Sequence, residues 1–525
     1  MAEVTALNES QHEATTVDAQ PAGKLTIQSI SDPDILSLIF QSLDTQYLAW
    51  VACTCKTFLE PALNQLWRSL DSLFPLFRIL PAFVKSDGTY VVRGHIHEKD
   101  WARFDWYACR VRTFSYARDP DALDIAMHVY FRIAQLRHTP LLPALQHLYC
   151  PSTSQSDFLI SAICLFLTPS LQSIKFEDIT NIEDKLVGTF LHTLLTDGAS
   201  LDDITLRGHG LSKDSLSFVA EFPSLQALEL SGMGENLDLN LVKKIGNLGH
   251  LKDLVIDFSN CPISLESLDE LDNEIGLRGL RNLTITASLP FVQSFLAQMS
   301  VASHLHTLFV LAPADTVVQR KEFLAEVAAR WAMSLRRIAL IHDPMDPEEE
   351  GLSVHALGPL LPLRDLEYLC VEGFTMEISD EDITLFANTW PKLRSLLLPF
   401  APPSATRPTI KSLSFLAEKC PKLEVLRLPL DVNELPVMPT NQLPDPHRLE
   451  SLIIATVEDH WELRDLLRLA RHIDYYFPWL ETVESQAGRD GERLLLLQEM
   501  IRMYQAVRNE AVSSRRVRTS AELTT

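Results

Sequence analysis

A leucine-patterned hexapeptide, L-x-x-L-x-L with Ile, Val or an aromatic sometimes substituting, recurs about a dozen times between residues 145 and 485. It reads LQHLYC at Leu145, LQSIKF at Leu171, LDDITL at Leu201, LQALEL at Leu225, LKDLVI at Leu251 and LRNLTI at Leu280. It continues as LHTLFV at Leu305, LRRIAL at Leu335, LEYLCV at Leu366, LRSLLL at Leu393, LEVLRL at Leu423, LESLII at Leu449 and LETVES at Leu480. Successive starts lie 24 to 31 residues apart. One such hexapeptide means little in a leucine-rich chain, but a register of them at a fixed period is the signature of a solenoid. Each unit of a solenoid buries its apolar face only against its neighbours, and the long exposed side is used for binding.

The period also explains how 525 residues can share one core, since a single compact core stops growing well below that length. The formal charge of −23 excludes a nucleic-acid binder, which needs a basic surface, and an anionic membrane surface as partner. Eight cysteines, at 53, 55, 109, 150, 164, 261, 370 and 420, show no C-x-x-C pairing and no disulfide framework. The first residues lack a basic segment followed by an apolar core, and nowhere do about 18 apolar residues run together. The expectation is a reduced compartment, cytoplasmic and/or nuclear.

Along the chain, residues 1–24 are polar and aperiodic and are expected to be a disordered tail. Next comes a compact unit over 25–70. Asp32 is placed to cap a helix with Pro33 at its first position, and Ile35, Leu36, Ile39, Phe40 and Leu43 give an apolar stripe. Asp44 starts a second helix with Leu48, Val51 and Ala52, and a third carries Phe58, Leu59, Ala62, Leu63, Leu66 and Trp67. Three such helices bury too little alone, so a partner or the next domain must cover them. Residues 71–144 connect this unit to the array, with Val111, Phe114 and Tyr116 imitating a first repeat. The array proper spans 145–490, with helices expected over 182–195, 239–248, 289–299, 320–333, 380–390 and 410–420. The Pro-rich stretches 399–410 and 429–447 and the acidic 342–351 read as loops; a closing helix over 492–510 and a frayed tail make up 491–525.

Run 31–67, SDPDILSLIFQSLDTQYLAWVACTCKTFLEPALNQLW, resembles the F-box. Pro33, Asp34, Ile35, Leu36, Ile39, Phe40 and Leu43 match the first half of that motif, and Leu48, Val51, Cys55, Lys56 and Phe58 the second. Ser31 or Asp32 stands where the motif has a leading Leu-Pro, and Thr54 where it has Val. Together with the array, the chain resembles F-box proteins with C-terminal leucine-rich repeats of the fungal type. The resemblance implies an α/β solenoid, an irregular leucine-rich-repeat horseshoe with parallel concave strands and outer helices, preceded by a small three-helix F-box. The irregularity stems from the position three residues past each hexapeptide, where the common repeat has Asn or Cys. This chain has Ile179, His209, Met233, Ser259, Ser288, Pro313, Asp343, Phe374 and Ala401 there.

The resemblance further implies a substrate-recognition subunit of a cullin–RING ubiquitin ligase of the Skp–cullin–F-box type, with no enzyme active site in this chain. A Skp-type adaptor would meet Pro33, Ile35, Leu36, Ile39, Phe40, Leu48, Val51 and Phe58, positions at which the sequence leaves adaptor-facing and core roles undivided. The alternatives are a plain helical cap on the array and a repeat scaffold outside any ligase.

The third and fifth residues of each hexapeptide, and the one after the sixth, alternate away from the core. They are polar early (Ser173, Lys175, Glu177, Asp203, Thr205, Arg207, Glu229, Asp253, Asp257) and turn apolar from Phe309. Phe309, Leu311, Ala339, Ile341, Tyr368, Cys370, Leu397, Val425 and Ile453 would form a large exposed patch, rimmed by Arg337, Glu372 and Arg427. Phe309, Leu311, Ile341, Tyr368, Leu397 and Arg427 are the candidate substrate-binding residues, unless the Pro-rich loops or the last helix cover them.

Chemistry has little support. His95 and His97 alone make a weak metal pair, Cys53 and Cys55 are expected to be packed thiols, and neither a G-x-S-x-G elbow nor a phosphate-binding glycine loop occurs. No cofactor is expected.

Overall fold

The structure, a computed structural model, describes residues 32–116, 125–137, 139–151, 162–269, 275–300, 304–312, 317–342, 352–399, 405–432, 435–436, 438, 447–454, 462–485 and 491–522. The expected tail 1–24 and the acidic stretch 343–351 lie outside the described residues.

The described residues begin with three short helices: α1 (Pro33–Phe40), α2 (Thr45–Ala52) and α3 (Lys56–Leu66). Asp32 caps α1, its Oδ1 accepting the Asp34 N–H at 3.0 Å, and Pro33 sits in the first turn, where its missing N–H costs nothing. Leu36, Phe40, Leu48, Ala52 and Ala62 form a core separate from that of the rest of the chain. Phe40 meets Phe58 edge to face at 5.7 Å inside it. The unit attaches through the end of α3, where Trp67 lies 4.7 Å from Tyr107 and Arg110 pairs with Glu60 at 2.8 Å.

Among the described residues, one 15-stranded sheet organises the remainder of the chain, and its strands pair in parallel in strict chain order. They are β1 (Ser69–Leu70), β2 (Thr113–Ser115), β3 (His147–Cys150), β4 (Ser173–Ile179), β5 (Asp203–Gly208), β6 (Ala227–Ser231), β7 (Asp253–Asp257) and β8 (Asn282–Thr286). The rest are β9 (Thr307–Ala312), β10 (Arg337–His342), β11 (Tyr368–Glu372), β12 (Ser395–Leu397), β13 (Val425–Leu428), β14 (Ser451–Ile454) and β15 (Thr482–Ser485). From β3 onward every strand begins at the third residue of a hexapeptide. The sheet itself starts earlier, at β1, and an antiparallel hairpin (Phe83–Ser86 with Thr89–Val92) intervenes before β2.

Helices return the chain between strands: α4 (Glu98–Ala108), α5 (Met127–Leu136), α6 (Asp184–Thr196), α7 (Leu239–Gly246), α8 (Leu289–Gln298), α9 (Val317–Trp331), α10 (Asp380–Thr389), α11 (Lys411–Lys419) and α12 (Leu463–Tyr476). The last helix, α13 (Gly491–Glu522), runs through the segment expected to fray after residue 510. Parallel strands need such crossovers, and the crossovers put every helix on one face. The arrangement is an α/β solenoid.

Burial obeys the hexapeptide. On β9, Leu308, Val310 and Ala312 are buried while Thr307, Phe309 and Leu311 are half-buried on the other face. Leu228, Leu254, Leu283, Leu308, Leu369, Leu396 and Leu426, all at the fourth position, lie within one continuous core shared by strands and helices. A further regularity lies in the backbone. The carbonyl of the hexapeptide's second residue accepts the N–H groups of the second and third residues of the next repeat, at 2.7–3.1 Å. This double acceptance runs unbroken from Arg68 through Arg112, Gln146, Gln172, Asp202 and so on to Glu450.

The turns lack the side-chain ladder of a uniform repeat and are settled one by one. Ile179 and Met233 are buried apolar plugs. Asp257 accepts the N–H groups of Ser259 at 2.9 Å and Gly232 at 3.2 Å. Phe374 stacks on His342 at 4.9 Å with the Arg320 guanidinium 4.3 Å above its ring. Gly373, at φ +82°, is required there, because a Cβ would collide with the His342 carbonyl oxygen.

Because each repeat is held by its neighbours, a cavity in one loosens three. Leu396→Ala is expected to cost about 2–5 kcal/mol. Amide exchange should accelerate in β11 and β13 as well as β12, while the three-helix unit stays protected; acceleration confined to β12 would contradict a shared core.

Candidate protein-binding surfaces

The three-helix unit carries apolar side chains on two sides. Its inner side takes Leu36, Phe40 and Leu48, with Val51 and Phe58 half-buried against them. These five expected adaptor contacts pack in the core of the unit. On its outer side Ile35 is 41% exposed, Leu38 66%, Ile39 47%, Tyr47 52% and Trp50 57%. Pro33 is exposed as well. Ile35, Leu38 and Ile39 have i, i+3, i+4 spacing on α1, and Tyr47 and Trp50 stand on α2 with their rings 5.6 Å apart. Leu38, Tyr47 and Trp50 lie outside the motif match; the signal for their exposure was a helix too apolar for its length, with large side chains outside the core stripe. Cys53 and Cys55 are not packed thiols. They are exposed, in the turn between α2 and α3 that leaves both side chains facing out.

The second surface is the face of the sheet away from the helices. Over β3–β6 it is a tied network. The Glu177 carboxylate holds Lys175 at 3.0 Å, Arg207 at 3.0 Å and the Tyr149 hydroxyl at 3.2 Å, and Arg207 also reaches Glu229 at 2.5 Å. Burial raises the Glu177 pKa, but the Lys175, Tyr149 and Arg207 contacts outweigh it and bring it below the usual carboxylate range. Asp203 is moved the other way, upward, by burial and by neighbouring Glu229 and Asp253, against the hydrogen bond from Ser173.

From β9 the face turns aromatic and aliphatic. Register places Phe309, Ala339, Cys370, Leu397, Arg427 and Ile453 in one row across β9–β14, with Leu311 beside Ile341 in the row above. Phe309 and Tyr368 lie 5.5 Å apart, and burial pushes the Tyr368 hydroxyl up to about 12. The expected large exposed patch is not there. Phe309, Leu311, Ile341, Tyr368, Leu397, Val425 and Ile453 are half-buried, and Ala339 and Cys370 are buried. Arg337 lies against Phe309 and Tyr368, and Arg427 against Cys370. Arg427, expected at the rim, is 7% exposed. Its guanidinium crosses β12 to pair with Glu372 at 3.0 Å and to donate to the Val371 carbonyl at 3.5 Å. It is part of the floor rather than a charge offered to a ligand.

The described parts of the Pro-rich 429–447 stretch lie against the helices. Pro436 offers its carbonyl to His472 of α12 at 2.8 Å, and Asp431 bridges to Thr409 just before α11. At the end of the stretch His447 is buried. Its Nδ1 accepts the Leu449 N–H at 3.1 Å, so its Nε2 carries the hydrogen donated to the Cys420 carbonyl at 2.8 Å.

Other chemistry is sparse. The His97 N–H donates to Asp100 at the start of α4, and among the described residues no three His, Cys, Asp or Glu side chains gather as a metal site. No described helix is long and apolar enough to cross a membrane. Neither a known family model nor a curated protein matches this chain.

Burial lowers the His447 pKa against the raising effect of the Cys420 carbonyl. The folded state therefore binds fewer protons than the unfolded chain below about pH 6.5. This contribution is fully present above that pH and is lost as pH falls from there through the lowered folded value. Melting temperatures of the wild type and His447→Gln should differ most near pH 7.5 and converge toward pH 5; parallel profiles would remove His447 from the pH dependence.

Proposed function

We propose that this chain is the substrate-recognition subunit of a cullin–RING ubiquitin ligase of the Skp–cullin–F-box type. The N-terminal three helices act as an F-box that docks a Skp-type adaptor. The array, read as an irregular leucine-rich-repeat horseshoe, holds the protein to be ubiquitinated. The observation that carries the reading is the bare stripe of Ile35, Leu38, Ile39, Tyr47 and Trp50 on a unit with so small a core. Covering a Leu or Ile side chain gains about 1.5–3 kcal/mol, so a partner that covers several stabilises the unit substantially. The match of residues 33–58 to the F-box spacing supports a Skp-type adaptor as that partner.

The subunit performs no bond chemistry in this reading. It supplies proximity, holding a lysine of the target near the conjugating enzyme. The target lies on the strand face around Phe309, Leu311, Ile341, Tyr368 and Leu397, where half-buried aromatic and aliphatic residues are ready to be covered completely.

Leu38→Asp with Trp50→Asp is expected to abolish binding of the purified chain to a Skp-type adaptor while the array melts as in the wild type. Phe309→Asp with Tyr368→Ala should do the opposite, keeping adaptor binding and losing the target in cells with the proteasome blocked. A wild-type chain that binds no adaptor would leave a scaffold outside any ligase as the better reading.

A further inference from the structure

Cations on the strand face are held by carboxylates, with one exception among the described arginines. Lys175 and Arg207 are tied to Glu177, Arg207 also to Glu229, and Arg427 to Glu372. Arg337, at the start of β10, is exposed and meets no carboxylate among the described residues. Its guanidinium instead lies 5.1 Å from the centre of the Tyr368 ring and 5.7 Å from that of Phe309. These three side chains form one group, since Arg337 sits directly beside Tyr368 in the register and Phe309 stands one strand away.

This arrangement has a chemical consequence. A guanidinium held by cation–π attraction spends none of its N–H groups on the rings, and its planar fork matches a carboxylate through two parallel hydrogen bonds. The side chain is also ordered beforehand, which lowers the entropy lost on binding.

The surroundings fix the rest of the ligand. Among the described residues of β9–β14 the strand face contributes a single carboxylate, Glu372, already neutralised by Arg427. The chain as a whole carries −23, so this stretch is a local exception. Leu311 and Ile341, adjacent above the group, offer an apolar shelf, and Thr307 flanks Arg337 on β9. A whole acidic domain would be repelled by the molecule's charge, whereas a short extended segment reaches this stretch alone.

We propose that the strand face over β9–β11 binds an acidic peptide segment of the target, an Asp or Glu carboxylate on the edge of Arg337 and a neighbouring large apolar side chain on Leu311 and Ile341. This rests on the reading of that face as the target-binding surface and adds the substrate class to it.

The test uses the full chain and a displayed library of random dodecapeptides. Peptides recovered on the wild type should place Asp or Glu next to Leu, Ile or an aromatic. A synthetic recovered peptide should bind roughly tenfold or more tightly than its Asn/Gln counterpart. Arg337→Gln should erase that difference, and Arg337→Lys, which keeps the charge but not the planar fork, should restore part of it. Thermal melting controls for folding, and Arg337 is exposed, so little change is expected. Recovery of no peptide, of peptides without acidic preference, or of a preference that survives Arg337→Gln overturns the proposal. Adaptor binding, measured on the same preparations, keeps the two readings apart. Retained adaptor binding without acidic preference defeats only this inference, whereas acidic preference without adaptor binding defeats only the ligase.

Discussion

The backbone carbonyl at the second position of each hexapeptide is the joint on which the array hangs. By accepting two N–H groups from the following repeat it fixes both the spacing and the register of the next strand before any side chain is considered. A slip of one residue would turn every buried Leu, Ile or Val of that strand outward. The leucines enforce the register from the core side and the carbonyl from the strand's entrance. Turns and helices vary because neither of these constraints passes through them, which accounts for connections as different as a 15-residue helix at Val317–Trp331 and a five-residue one at Lys213–Ser217.

That division explains which features were legible in the sequence. From β3 onward the inward and outward faces were readable residue by residue, because a two-residue alternation inside a fixed motif admits one register. By contrast, β1 at Ser69–Leu70 carries no hexapeptide and was not expected. Helices such as Leu289–Gln298 and Asp380–Thr389 fell within one or two residues of their expected ends, since Pro290 and Ser379 mark their starts. Side-chain reach across strands was not readable. Arg427 resembles a solvent-facing charge by position, and only the structure reveals Glu372 within range two strands away. Ala339 and Cys370 alternate outward correctly yet are buried, and at Cys370 the Arg427 side chain reaches in from two strands away.

In the N-terminal unit the limit was different. A consensus spacing marks residues without separating those that build a fold from those that such a fold presents. Leu36 and Phe40 face inward and Ile35 and Ile39 outward on one eight-residue helix, so both faces of α1 read as apolar. Buried and exposed apolar positions are interleaved at every turn, and only packing tells them apart. The strand face poses the same problem with the opposite outcome, since over β9–β11 its apolar residues are half-buried or buried while Arg337 is exposed.

The last repeat has no successor to supply N–H groups, and α13 takes that place with side chains. Gln498 donates to the Glu481 carbonyl at 3.1 Å, Gln505 to that of Leu480 at 2.8 Å, and Arg508 to that of Pro478 at 3.2 Å while also pairing with Asp474. The terminal acceptor is thus occupied by an amide that imitates a backbone without continuing it. Such a stopper makes the array's length heritable from within. A repeat duplicated between β3 and β14 would find the same joint above and below it, whereas one appended after β15 would first have to evict the helix. An open final edge is a template for strands from other molecules, and α13 occupies that edge with side chains that cannot continue the sheet.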